Sequence, residues 1–134
     1  MIDTNQTNPT KLKAKKIAYR ATTGLFIFEL IYGALWDFNV LNKSFAAGIL
    51  KHLGYPLYLL TILGVAKGLA AITIVIPGFL RLKEWAYAGA AFIFIGALFS
   101  HILAGDGGAS FIAPIVFTFF VLSSYFLRPV NKKL

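Results

Sequence analysis

The stretch that decides the fold runs from Pro56 to Leu80 and reads PLYLLTILGVAKGLAAITIVIPGFL. It contains 25 residues, most of them apolar or small, and carries one charged side chain, Lys67, near its middle. A helix of that length reaches roughly 37 Å, whereas the hydrocarbon core of a bilayer is about 30 Å thick. The stretch is therefore predicted to form a membrane-spanning helix.

The ammonium of Lys67 is costly at that depth. A charged side chain at the centre of a bilayer costs about 3 kcal/mol or more unless another group inside the protein compensates it. We therefore expect a neighbouring helix to supply an anion.

Composition agrees with a membrane protein. The chain has 134 residues, of which 58% are hydrophobic and 13% charged, and its mean hydropathy is +0.75. The net charge of +8 arises from basic residues at the ends of apolar segments, where they meet anionic lipid headgroups, so membrane lipids rather than nucleic acid are the expected partners. The chain has no cysteine, which excludes disulfides, thiolate metal sites and quinone-linked thiol chemistry.

Three further apolar segments are long enough to span a bilayer. The predicted fold class is an all-α membrane protein, an antiparallel four-transmembrane-helix bundle, with spans at about 17–38, 56–80, 85–104 and 111–128. Residues 1–16 are predicted to be a flexible basic tail, 17–129 the transmembrane domain and 130–134 a second tail.

The linker at 39–55 has a pattern of its own. Its apolar residues recur at helical spacing, at Leu41, Phe45, Ile49, Leu50 and Leu53. This predicts a short amphipathic helix lying in the interface at the first outer loop, capped by Asn42 or Ser44.

Orientation follows from the distribution of Lys and Arg. Ten of them lie in the N-terminal collar, in the loop after the second span and in the C-terminal tail, against two, Lys43 and Lys51, in the other loops. Because basic loops stay on the cytoplasmic side, both termini are predicted to be cytoplasmic.

Glu29, in the first span, is the first candidate partner for Lys67. Counting along antiparallel helices places Glu29 roughly 18 Å and Lys67 roughly 14 Å from the cytoplasmic edge. One interpretation is a structural pair in which each charge makes the other tolerable. The alternative is that the pair, with Tyr32 one turn away, binds a polar ligand or passes a proton.

A second set of polar residues is expected at the outer end. Asp37 closes the first span, His101 lies near the end of the third, Asp106 follows in a turn, and His52 extends over them from the interfacial helix. These groups fit proton handling, ligand contact or a metal site, and equally a set of hydrated helix ends.

Ser123 and Ser124 are expected to bond to backbone carbonyls. Phosphate loops, nucleophile elbows and haem-type histidine pairs are missing from the sequence.

Six short segments of the chain form a recognisable set: His52-Leu53-Gly54-Tyr55-Pro56, Leu63-Gly64-Val65-Ala66-Lys67, Leu82-Lys83-Glu84-Trp85-Ala86-Tyr87-Ala88-Gly89, Ser100-His101, Gly105-Asp106 and Leu127-Arg128-Pro129. Together they resemble the DoxX-like family of small four-span bacterial membrane proteins, and the likeness extends from about Ile17 to Pro129.

The resemblance implies a multi-pass protein of the bacterial cytoplasmic membrane, related to small subunits of a membrane thiosulfate:quinone oxidoreductase. Together with the polar residues described above, it favours a ligand-binding or accessory subunit without activity of its own and without an intrinsic cofactor or metal. A quinone or lipid would then bind around Glu29, Tyr32, Lys67, His101, Asp37 and Asp106, with a redox subunit or further copies of the chain as partners. The alternatives are a proton-coupled transporter acting as an oligomer and a membrane scaffold or assembly factor.

Overall fold

The computed structural model describes residues 8–42 and 44–134. In this part of the chain all regular structure is helical, as the sequence predicts. The α-helices are α1 (Pro9–Asp37), α2 (Phe45–Leu53), α3 (Leu59–Val75), α4 (Leu80–Leu103) and α5 (Ala109–Leu127), and a short 3₁₀ helix follows at Val130–Lys132. Residues 1–7, which are part of the tail predicted at 1–16, and Lys43 lie outside the described residues.

Helix α1 begins earlier than the predicted first span. The side chain of Asn8 accepts a hydrogen bond of 3.0 Å from the backbone N–H of Thr10, and Pro9 occupies the first helical position. An Asn cap followed by Pro is a helix start signal, because Pro lacks an N–H that would be left unpaired there in any case. Residues 9–16, predicted as part of the flexible tail, are thus helical and continuous with the first apolar segment.

Helix α3 ends earlier than predicted. Ile76 has extended backbone angles, φ −66° and ψ 132°, because Pro77 disfavours the helical conformation in the residue before it. Phe79 then adopts a left-handed conformation with φ 52°. α4 begins at Leu80, so Arg81 and Lys83, the two basic residues predicted in the loop after the second span, lie in its first turn.

The outward surfaces of α4 and α5 are apolar. Both helices are long and apolar enough to cross a membrane, and α3 is a shorter apolar helix of 17 residues. Only 17% of the most apolar stretch of α4 or α5 is buried inside the protein, whereas the core helix of a soluble protein would be mostly buried. Large apolar side chains such as Phe92, Leu103 and Phe119 point outward. These helices are typical of a membrane protein.

The four long helices pack around a shared core. α1 contacts α3 and α5, and α4 contacts the same two helices. The buried core residues come from all four helices: Phe26, Leu30, Ala71, Ile74, Tyr87, Ala90, Phe94 and Val121.

Helix α2 lies across one end of this assembly. Its buried residues Ala46 and Leu50 form a second small core with Leu60, and the rings of Trp36 and Phe45 are 4.6 Å apart. The predicted amphipathic helix is therefore present. Ser44 is its cap residue but does not form a side-chain cap hydrogen bond.

Candidate functional site

Lys67 is buried in the middle of α3, and its nearest anion is Asp37. The ammonium nitrogen lies 2.9 Å from Oδ2 of Asp37, the last residue of α1. The approach is an ion pair without the angles of a hydrogen bond. As expected, a neighbouring helix supplies an anion to Lys67. The direct partner is Asp37 rather than Glu29.

The direction of the lysine side chain explains the difference. Side chains on a helix lean toward the N-terminus of that helix. Phe38, which follows α1, packs on Gly64, one turn before Lys67 on α3. The long side chain of Lys67 is therefore directed toward the end of α1, where Asp37 is located.

Glu29 lies next to the same ammonium, without a direct ion pair among the described residues. Gly33 makes this approach possible. A Cβ atom at Gly33 would lie 2.9 Å from Oε1 of Glu29 and 2.9 Å from Nζ of Lys67. We call Glu29, Asp37 and Lys67 the charge cluster; its three side chains are each about nine-tenths buried.

The carboxylates of the charge cluster are not fully satisfied. Oε2 of Glu29 and Oδ2 of Asp37 are buried and have no hydrogen-bond partner in residues 8–42 and 44–134. Buried polar atoms in native proteins usually have a partner, so such atoms call for an explanation.

The charge cluster lines a cavity of about 790 Å³. Tyr32 and Trp36 of α1 lie on the same wall, α2 contributes Ala46 and Leu50, and α4 and α5 contribute mostly apolar side chains with His101. The cavity is thus a largely apolar chamber whose buried charges are concentrated on the side formed by α1 and α3.

Asp106 lies between two histidines at the end of α4. Its Oδ2 is 2.5 Å from Nδ1 of His101, and its Oδ1 is 2.6 Å from Nε2 of His52 on α2. Hydrogen bonds from His101 and His52 lower the pKa of the Asp106 carboxyl, because they favour its charged form. The structure thus joins three of the four predicted outer groups, while Asp37 belongs to the charge cluster instead.

Asp106 therefore ties α2 to the turn between α4 and α5. A second contact supports this tie, since the hydroxyls of Tyr55 and Ser100 are 2.8 Å apart. Within the described part of the chain, the His, Asp and Glu side chains form no group of three arranged to hold a metal ion.

The opposite end of the molecule holds a polar cluster that sequence reasoning missed. Arg128 is only 3% exposed, and one of its nitrogens lies 2.6 Å from Oε1 of Glu84. Its guanidinium carbon lies 4.9 Å from the centre of the Tyr87 ring and 4.3 Å from that of Tyr125. The signal available in the sequence was a single Arg beside several tyrosines near helix ends, which is also typical of an interfacial belt.

Ser124, next to this cluster, is fully buried and bonds to side chains rather than to a backbone carbonyl. Its hydroxyl is 2.6 Å from that of Thr23 and 2.7 Å from that of Tyr87. The expectation of backbone bonding was wrong for Ser124, because α1 and α4 present hydroxyls to the same point. These bonds connect α1, α4 and α5.

Comparison with known proteins gives one family. The model of the DoxX-like family matches residues 21–124, a range that includes the charge cluster, His101 and Asp106. No curated protein and no solved structure matches the chain. Because the family model covers well over half of the sequence, the chain belongs to the DoxX-like family.

Proposed function

We propose that this chain is a four-span protein of the bacterial cytoplasmic membrane that binds a small amphiphile, quinone-like or lipid-like, in the cavity beside the charge cluster. In this proposal α1, α3, α4 and α5 are antiparallel spans and α2 lies at the outer surface. Both termini are cytoplasmic, as the distribution of basic residues predicts.

Interhelical contacts support the antiparallel arrangement. Tyr19 of α1 contacts Lys132, which follows α5, and Thr23, one turn later on α1, contacts Ser124 near the end of α5. Phe94 of α4 packs against Phe117 of α5, and Tyr87 packs against Tyr125, so positions that advance along α4 meet positions that recede along α5. The apolar outer faces of α4 and α5 suit contact with lipid chains.

The observation that carries the binding proposal is the charge cluster on the wall of an apolar chamber. A volume of about 790 Å³ is within the range of sites for small ligands. Such sites are mostly apolar, with a few polar groups that fix the orientation of the ligand. An amphiphile fits this pattern, with its head at the charge cluster and its tail along α4 and α5.

An accessory role fits the chemistry of the chain better than catalysis by the chain alone. The sequence contains no thiol and no nucleophile or phosphate motif. The ionisable groups of the cavity can hold a head group and exchange protons, while electron transfer would belong to a partner subunit. Further copies of the chain are the other expected partner.

Native mass spectrometry of protein extracted in mild detergent tests the proposal. We expect a retained lipid or quinone on the wild-type chain, and the same spectrum reports copy number and any partner subunit. Gly33→Ala inserts a methyl group between Glu29 and Lys67 and should reduce retention at least tenfold. Gly24→Ala, on the same helix and with nothing within 4 Å of the new methyl, is the matched control and should retain the ligand.

Two results would contradict the proposal. One is a wild-type chain that carries no ligand and takes up none when a quinone or a phospholipid is added. The other is equal retention in the Gly33→Ala and Gly24→Ala variants.

A further inference from the structure

The charge cluster is unbalanced. It contains two carboxylates, Glu29 and Asp37, and one ammonium, Lys67, each about nine-tenths buried. Lys67 and His101 are the basic residues among the described side chains that line the cavity, and the ring of His101 is bonded to Asp106. With all three groups ionised, the cluster carries one excess negative charge in a region of low dielectric, where an uncompensated charge is costly.

The excess charge coincides with missing hydrogen bonds. Oε2 of Glu29 has neither a hydrogen-bond partner nor an ion-pair partner within the described ranges, whereas Oδ2 of Asp37 has its ion pair with Lys67 but no hydrogen bond. Both residues line the cavity. A carboxylate oxygen can only accept hydrogen bonds. The group that completes the cluster from the cavity must therefore donate them.

We propose that the cavity selects an amphiphile whose head donates hydrogen bonds over one whose head only accepts them. This inference rests on the proposed function and specifies the chemistry of its ligand. Glu29 and Asp37 accept from the head, while Lys67 remains paired with Asp37 and holds the two carboxylates together. A head with carbonyl acceptors alone would bond to Lys67 and leave Oε2 of Glu29 without a donor.

Two kinds of head share this chemistry. A protonated amine supplies donors and also neutralises the excess charge, while a hydroquinone supplies hydroxyl donors without charge. The corresponding quinone has the same ring and tail but offers only acceptors, so it is the matched comparison.

A protonated Glu29 is the alternative to an excess negative charge in the cluster. If Glu29 is protonated in the free protein, the cluster is neutral and its carboxyl can donate to an acceptor head. Glu29→Gln imitates that neutral state, because an amide also donates. The variant should therefore lose the preference if the carboxylate is the acceptor, and it should behave like wild type if Glu29 is already neutral.

The test uses the Trp85→Phe protein, in which Trp36 on the cavity wall is the only remaining tryptophan. Trp85 is 75% exposed and does not line the cavity, so this replacement leaves the site intact. The protein, in phosphatidylcholine nanodiscs, is titrated with decylamine, with a decyl hydroquinone and with the matching decyl quinone. The emission of Trp36 reports binding.

We expect the amine or the hydroquinone to bind at least tenfold more tightly than the quinone, and the more tightly bound of the two identifies the kind of donor. Glu29→Gln should remove most of this preference, and Asp37→Asn serves the same purpose if Glu29→Gln does not fold. Glu84→Gln makes the same chemical change at the opposite end of the molecule and should keep the preference.

Quinone binding as tight as that of both donors, or a preference that survives Glu29→Gln and Asp37→Asn, overturns the inference and leaves the proposed function standing. Absence of saturable binding by all three probes overturns both.

Discussion

The ammonium of Lys67 lies 2.9 Å from a carboxylate oxygen of Asp37, so the middle of α3 is tied to the last residue of α1. This pair lies within an apolar assembly, and Glu29 approaches it over the bare backbone of Gly33. A buried charge of this kind is costly to leave alone and moderate in cost when paired. The stability of the fold and the proposed ligand binding therefore involve the same three side chains.

Removal of the ammonium should be more damaging than removal of all three charges. Lys67→Met leaves two buried carboxylates facing each other and should lower the free energy of unfolding by about 3–5 kcal/mol. The triple variant Lys67→Met, Glu29→Gln, Asp37→Asn should recover much of that loss, because no uncompensated charge remains. Thermal unfolding in detergent measures both, with the exposed Lys51→Met as control. A triple variant as unstable as Lys67→Met would show that the charges do not act together.

The two glycines of α3 should respond differently to alanine. A Cβ at Gly64 would lie 2.9–3.1 Å from atoms of the Phe38 ring, so Gly64→Ala should destabilise the protein by about 1–3 kcal/mol through overpacking. Gly68 has nothing within 4 Å of a new methyl, and Gly68→Ala should stabilise the helix by about 0.5–1 kcal/mol. Thermal unfolding of the two variants side by side provides the comparison, and equal effects would contradict the α1–α3 packing.

The tie between α2 and Asp106 should weaken in acid. The folded protein lowers the pKa of Asp106 below its ordinary value of about 4, so its contribution to stability is present above that value. The contribution is lost as the pH falls through the lowered pKa. Wild type should therefore melt at a higher temperature than Asp106→Asn at pH 5, and this difference should disappear as the pH falls below about 4.

The two histidines should contribute unequally to this tie. The side chain of His101 is 15% exposed and that of His52 is 57% exposed, so solvent screens His52 more strongly. At pH 5, His101→Gln should reduce the melting temperature more than His52→Gln. The reverse order would contradict the geometry described for the turn after α4.

The proposed topology can be tested by introducing single cysteines and labelling them, because the natural chain has none. Lys13→Cys and Asn131→Cys occupy exposed positions near the two ends, and Lys51→Cys occupies an exposed position on α2. In intact cells a membrane-impermeant maleimide should label Lys51→Cys and spare the other two until the cells are opened. Labelling of Lys13→Cys or Asn131→Cys in intact cells would contradict cytoplasmic termini.

The sequence predicted helices well and their ends less well. Runs of apolar residues locate α3, α4 and α5 because such runs must be buried or face lipid, whatever the neighbouring helices are. Ends depend on local chemistry instead. Asn8-Pro9 acts as a start signal for α1, and Pro77 stops α3 through the conformation of Ile76.

The need for a partner to Lys67 could be predicted, but its identity could not. Counting residues along a helix gives the depth of the Cα atom, whereas the lysine ammonium lies several ångströms away in a direction set by the helix. Because of that displacement, the direct ion-pair partner of Lys67 is Asp37 and not Glu29. The cluster around Arg128 escaped prediction for a related reason, since only the packing of α4 against α5 brings Glu84 to Arg128.

The emission of Trp36 in the Trp85→Phe protein, during titration with an amphiphile that carries a bromine-labelled tail, measures the central claim most directly. Trp36 lines the cavity, so a ligand seated beside the charge cluster should quench its emission in a saturable way. We predict that saturation survives Gly24→Ala and disappears in Gly33→Ala. Quenching that rises linearly with the amphiphile, equally in both variants, would mean that the probe reaches Trp36 from the bilayer and would contradict a binding site in the cavity.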